Sequence, residues 1–394
     1  MRYLKKLFQY FISYSIYFFL NLIFPLFKIR FGRIYANRIG HLCFNTDNYL
    51  SIVSEKKNII TFFCYDEPVS NEFLFKLFIK NKKIFFTNKI RFIYNIFHHI
   101  NSNSKLLVSN AKETHPRVSF TATKKRNLPS IVDYEPLKKF LGKNNISNKF
   151  ICINNRDNKY LQDINSPDKN FHDYRNFEIE SFDRALQHLL NEGYFIIRVG
   201  KISEKPINIK DKKIFDLTNE NYNEQLQILL LEKCFFFIGG SSGISQVQRI
   251  FRKPSLLINY IPFDIMEMSA WSKNSIFLPK KLFSLNEKRY LNFREMNDLN
   301  YDIHYKGNFF KDKNIDVVNN TEEEILNACK EMIEYQKNNF ERTEKNKVIQ
   351  DTFWRQFEDN QNLKYYTNQI REKIDFGISE YFVNNNNELL KNND

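Results

Sequence analysis

The chain has 394 residues, enough for two domains that each bury a core. Its 59 Lys and Arg against 45 Asp and Glu give a formal net charge of +14, which favours anionic partners such as phosphates or membrane headgroups. The basic residues are scattered with no nucleic-acid reading head, so nucleic acid is not an expected partner. Cys43, Cys64, Cys152, Cys234 and Cys329 are widely spaced without a Cys-x-x-Cys, which points to a reducing compartment and away from a zinc site. A/T-rich codons are a sufficient source for part of the 40 Phe and of the charge, so the scarce glycines carry more information than the lysines.

Residues 7–27 are uncharged, with Lys5 and Lys6 before them and Lys28 and Arg30 after. The length matches a bilayer span, but Gln9, Ser13, Ser15 and Asn21 interrupt it and Pro25 lies near its end. No small-x-small cleavage pattern follows. Three readings stand: a spanning anchor, an interfacial helix with flanking cations on anionic lipid, and a buried first helix. Residues 1–30 are expected to form a membrane-associated apolar helix. Gly40 and His41 then fall at a strand-to-helix or strand-to-loop junction. Residues 58–65 and 83–86 read as strands and 71–79 and 90–100 as helices, a first α/β domain over 31–140. The polar stretch 101–136, with Pro116, Pro129 and Pro136, leads to the boundary.

The second half alternates regularly. Residues 149–154, 194–199, 213–217, 234–238 and 255–259 read as strands, and 181–192, 223–232 and 244–251 as helices, with Ser181 as a cap and Gly193 as a stop. That succession predicts a mostly parallel, doubly wound sheet over 141–340, with ligands at the carboxyl ends of its strands. The tail 341–394 reads as mostly helical, with one helix over 353–376.

Three of the ten glycines lie within five residues, in Gly239-Gly240-Ser241-Ser242-Gly243, between an apolar run and a helix. Gly lets a backbone approach an anion, and a helix start offers unpaired N–H groups and a positive dipole end. The segment reads as a nucleotide-sugar or similar diphosphate site, or as a tight structural turn.

The segments Arg38-Ile-Gly-His-Leu42, Asn154-Asn-Arg-Asp157, His172-Asp-Tyr-Arg-Asn176, Tyr194-Phe-Ile-Ile-Arg-Val-Gly-Lys201 and Phe236-Phe-Ile-Gly-Gly-Ser-Ser-Gly243 stand in one order along the chain. In them the chain resembles a bacterial glycosyltransferase family associated with surface polysaccharide assembly. Its second half is also similar to GT-B enzymes of the fucosyltransferase type, except that Asn154 stands where that pattern has His, while Arg156 is retained. The resemblance implies an α/β protein of two facing Rossmann-like doubly wound domains, GT-B-like, with an N-terminal apolar helix and C-terminal helices that brace the first domain. It also implies a nucleotide-sugar held by the second domain and an acceptor held by the first.

Arg156, just past a strand end, is suited to hold two diphosphate oxygens, or to pair with Asp157. Arg198 and Lys201 flank Gly200 as donor-site cations or as ordinary solvated ones. Asp216 is a base or ribose acceptor, or a cap for the next segment. His41, beside Gly40 on the acceptor side, is the candidate base, with Asp173 and Glu67 as competitors. His172 and Arg175 are possible sugar contacts or plain loop residues.

The expected function is a glycosyltransferase, of hexosyl or deoxyhexosyl type, that moves a sugar to a glycan or lipid-linked acceptor. It would need no metal and no cofactor, since the nucleotide-sugar is a substrate. Its expected place is the cytoplasmic side of the inner membrane, peripheral or on a single N-terminal anchor. The alternative is a non-catalytic, membrane-attached nucleotide- or sugar-binding module.

Overall fold

The structure, a computed structural model, describes residues 2–54, 56–109, 113–114, 132–147, 149–163, 170, 172–268, 271–299, 308–359 and 361–390. The chain divides into two compact units, Met1–Asp133 and Tyr134–Asp394.

The first unit opens with α1 (Arg2–Ile23) and β1 (Lys28–Ile34), followed by α2 (Ile39–Val53), β2 (Ile59–Tyr65), α3 (Glu72–Ile79), β3 (Ile84–Phe86) and α4 (Arg91–Ile100). The strands pair in parallel in the order β1-β2-β3, and residues 106–108 run along the free edge of β1 through a bridge from Phe31 to Leu107. Asn71 caps α3: its Oδ1 accepts from Leu74 N–H at 2.7 Å. One side of α1 lies on α4 and β1, where Leu20 joins Phe31, Phe97, Leu106 and Leu107 in a buried cluster. Among the described residues no helix is long and apolar enough to cross a membrane. This corrects the spanning-anchor reading. Ser13 and Leu20 are buried on the packed side, and Ser15 and Asn21 bond back to the helix backbone, so the segment is a two-sided helix rather than a uniformly apolar one.

The second unit begins with α5 (Glu135–Lys143), β4 (Phe150–Asn154) and α6 (Lys159–Asp163). It continues through α7 (Asp183–Asn191), β5 (Phe195–Arg198), β6 (Ile214–Asp216), α8 (Glu224–Lys233), β7 (Phe237–Gly239), α9 (Gly243–Ile250) and β8 (Ser255–Tyr260). After α10 (Ile265–Met268) come β9 (Ser275–Pro279), β10 (Lys281–Ser284), β11 (Arg289–Tyr290), α11 (Phe293–Asp298), α12 (Phe309–Asp312) and β12 (Ile315–Val318). The chain ends with α13 (Glu322–Lys337), α14 (Glu344–Arg355), α15 (Gln361–Gln369), β13 (Phe376–Ile378) and α16 (Glu380–Asn385).

Seven strands form one parallel sheet in the order β13-β9-β8-β7-β4-β5-β6. Numbered by appearance, that is 3-2-1-4-5-6-7 read from the β6 edge, the Rossmann arrangement. Strands β4, β7, β8 and β9 are buried throughout, as expected of parallel strands covered on both faces. The helices form two packed groups, α7 with α13 and α16, and α5 with α8 and α9. Strands β10, β11 and β12 make a small separate antiparallel sheet.

Three local expectations change. Ser181 does not cap α7; its hydroxyl bonds Glu178 O at 2.7 Å inside a 3-10 turn, and the helix starts at Asp183. The strand expected at 234–238 starts at Phe237, because Cys234 still closes α8 through Leu230 O. The tail is not one helix from 353: α14 stops at Arg355, and β13 then joins the sheet edge beside β9.

Candidate functional site

In a sheet of this order the strands are added outward in one direction from β4 to β6 and in the other from β7 onward, so the carboxyl ends of the parallel neighbours β4 and β7 border a crevice. Asn154 ties these ends together. Its Nδ2 donates to Val199 O at 2.8 Å, just past β5, and its Oδ1 accepts from Ser242 Oγ at 3.0 Å, just past β7. Gly200, at φ +144°, takes a conformation that favours glycine, and buried Gln227 bonds its N–H and its carbonyl at 2.7 and 2.9 Å.

The glycine loop differs from the sequence expectation in one respect. A Cβ at Gly239 would meet Asn154 O at 2.7 Å, and one at Gly240 would meet the Phe177 ring at 2.6 Å. These two glycines allow strand and loop to pack, and they are buried. The partly exposed portion is Ser242, Gly243 and Ile244, at the start of α9. Ser242 caps that helix in a reciprocal box with Ser245, satisfying two N–H groups. The first-turn amides of Gly243 and Ile244 have no intrahelical acceptor by geometry.

Beyond β4 the chain turns through Arg156, and residues 172–176 fold around it. Arg156 Nη1 donates to His172 O at 2.8 Å and to Asn176 Oδ1. Lys280, the residue after β9, is 2% exposed and donates its Nζ to Asn176 O at 2.8 Å. One asparagine thus holds both cations. Arg175 joins them from the same segment: its guanidinium lies 5.4 Å from the Tyr174 ring centre, and its Nε is buried without an acceptor.

Neither Arg156 nor Lys280 has a carboxylate bonded to it among the described residues. Burial, reinforced by the charge of Arg156, pulls the Lys280 ammonium down to about 7. Burial and then the charge of Arg175 lower Arg156 to about 10, which leaves it protonated at neutral pH. Asp173 and Asp157 act on Arg156 only as weaker, distant charges in its favour. A buried ammonium beside a guanidinium is costly in the absence of an anion. The arrangement is therefore chemically suited to a multiply charged, oxygen-rich ligand.

The other predicted residues are distributed differently. Arg198 is 1% exposed and engaged inside the protein: it bonds Asp216 Oδ2 at 2.9 Å, Asn155 Oδ1 at 2.6 Å and Lys205 O at 2.7 Å. Asp216 also holds the N–H and hydroxyl of Thr218, at 3.1 and 2.7 Å. Lys201 is exposed beyond β5. His172 Nδ1 lies 3.0 Å from Tyr174 Oη, within the segment that surrounds Arg156. Gly40 and His41 belong to the first unit, on the first turn of α2, where exposed His41 lies 5.7 Å from the Tyr35 ring. No group of three or more His, Cys, Asp or Glu with metal-holding geometry occurs among the described residues.

Lys280 and Asn176 were absent from the expected site. Asn176 closes the segment His172-Asp-Tyr-Arg-Asn176, and Lys280 follows the apolar run Ile276-Phe277-Leu278-Pro279. The strand-end rule that singled out Arg156 applies equally to Lys280, once that run is taken as a strand.

No protein-family model and no curated protein matches the chain. Solved structures resemble it only distantly. Over 78% of this chain and 99% of the other, it is similar to an Escherichia coli ADP-heptose LPS heptosyltransferase II, at 9% identity and a TM-score of 0.44. A Veillonella parvula glycosyl transferase of family 9 matches 78% of this chain over 97% of its own length, at 12% identity and TM-score 0.46. The E. coli heptosyltransferase WaaC with ADP matches 72% over 96% of its length, at 8% identity and TM-score 0.34.

Proposed function

We propose that the second unit binds the diphosphate of a nucleotide-sugar and that the protein is a glycosyltransferase acting on a glycan or lipid-linked acceptor. The observation that carries this reading is the pair Arg156 and Lys280, held on Asn176 beyond the carboxyl ends of β4 and β9, with no carboxylate bonded to either among the described residues. When the bond from the anomeric carbon to the diphosphate oxygen breaks, negative charge gathers on the departing diphosphate. Two fixed cations and the first turn of α9 favour that charge more than they favour the intact donor. In this scheme the chain's own cations supply the positive charge. His41 is retained as the proposed base toward the acceptor hydroxyl, and Arg175 as the proposed contact to the donor's outer phosphate or sugar.

The test is a panel of ADP-, GDP-, UDP-, CMP- and dTDP-sugars with the matching nucleotides, read by thermal shift, calorimetry and sugar release. One nucleoside diphosphate should raise the melting temperature, and its sugar conjugate should be consumed when acceptor is supplied. Arg156→Ala should weaken that diphosphate by roughly 10- to 100-fold, the worth of one or two charge-assisted bonds, without loss of fold. Binding with no release from any donor would favour the non-catalytic module. Absence of binding by every nucleotide would remove the reading.

A further inference from the structure

The outer face of α1 is left uncovered by the unit that its inner face packs against. Phe8, Phe11, Phe18, Phe19 and Leu22 are 60–79% exposed. At 100° per residue all five fall within an arc of roughly 100° on one side of the helix. The helix has 22 residues, so the stripe runs along most of an element about 33 Å long, and exposed Leu26 and Phe27 extend it past the helix end. Ser13, Leu20 and the α4 contacts occupy the opposite side. A stripe of this kind is much more apolar than an ordinary protein surface.

Charge identifies what covers it. The first acidic residue of the chain is Asp47, and seven Lys and Arg precede it. Lys5 and Lys6 stand near the start of α1 and Lys28 just after its end, while Lys105 Nζ lies 4.9 Å from the centre of the Phe24 ring. A second copy of the chain would bring this same basic segment against itself. An anionic lipid surface offers both an apolar phase for the phenylalanines and opposite charge for the lysines.

We propose that α1 lies in the plane of an anionic membrane, with its phenylalanine stripe in the headgroup–acyl boundary and its inner face still packed on the first unit. The helix neither spans nor leaves the fold; it is a fixed interfacial face. This inference is independent of what the second unit binds.

The experiment uses the full chain and two kinds of vesicle, phosphatidylcholine alone and phosphatidylcholine mixed with phosphatidylglycerol. A Phe11→Trp variant reports insertion by a blue shift of its emission. The expected result is flotation with the anionic vesicles, a blue shift there, and release by salt of a part of the bound protein. Phe11→Asp/Phe18→Asp should weaken vesicle binding by about tenfold or more while melting temperature stays within a degree or two, since both side chains are exposed. Equal flotation by this variant would overturn the proposal, as would no flotation of wild-type protein. A stable dimer in solution that the variant disperses would also overturn it, in favour of a second copy.

Discussion

Lys280 is the residue with the sharpest chemical signature. Its ammonium is brought down to about 7 by burial and by Arg156, from an ordinary 10.5. A lysine whose folded value is depressed binds fewer protons in the native than in the unfolded state between those two values. Stability without ligand therefore rises as pH climbs from about 7 toward 10.5, and is lowest where the buried ammonium is fully charged. A diphosphate reverses the preference by stabilising the charged form. Above pH 7, binding should take up a proton, visible as a dependence of calorimetric heat on buffer ionisation enthalpy, and affinity should fall as pH rises. Lys280→Met should raise the melting temperature at pH 6 and flatten its pH dependence, with a gain of roughly 2–4 kcal/mol, while weakening the diphosphate. A loss of stability in Lys280→Met would show that the ammonium is already compensated inside the protein. Arg156 was legible in the sequence because a strand end is visible as an apolar run followed by polar residues. Its partner was not, because Asn176 and Lys280 are 104 positions apart and meet only through a hydrogen bond.

At the scale of elements, the loop between β7 and α9 depends on size as much as on freedom of conformation. Gly239 and Gly240 have their missing side chains replaced by Asn154 O and the Phe177 ring. Gly239→Ala should therefore destabilise the second unit by roughly 2–3 kcal/mol in denaturant unfolding, because the neighbour at 2.7 Å is backbone and cannot move aside. An unaltered midpoint would mean that the loop shifts freely and is not pinned by β4. Glycine clustering at this loop was plain in the sequence, and so were the helices on either side of it. Which glycines pack on Asn154 or Phe177 and which stay partly exposed at the start of α9 was not, since the same residue type occupies both places. Arg198 illustrates the opposite case. Its place at a strand end matched the rule that found Arg156, yet its side chain turns to Asp216, Asn155 and Lys205 O.

For the whole molecule, the proposed ligand should act on one unit. Hydrogen exchange with and without the stabilising nucleoside diphosphate should protect amides in 154–158, 172–177 and 242–246, and leave the strands β1, β2 and β3 of the first unit unchanged. Protection concentrated in the first unit would place the nucleotide elsewhere. Periodicity and punctuation in the sequence determined the strands β2 to β8 and the helices α3, α4, α7, α8 and α9, because parallel central strands are continuous apolar runs and helices such as α3 and α8 start at the caps Asn71 and Asn223. They also determined that an uncharged aromatic segment opens the chain. Only the tertiary structure decided the strand order, the addition of β13 from the tail, the one-sided packing of α1, and the meeting of Arg156 with Lys280 on Asn176. Local pattern records which face of an element avoids water. It does not record which distant element covers that face, because that choice is made by packing and hydrogen bonding between residues whose separation along the chain leaves no trace in either neighbourhood.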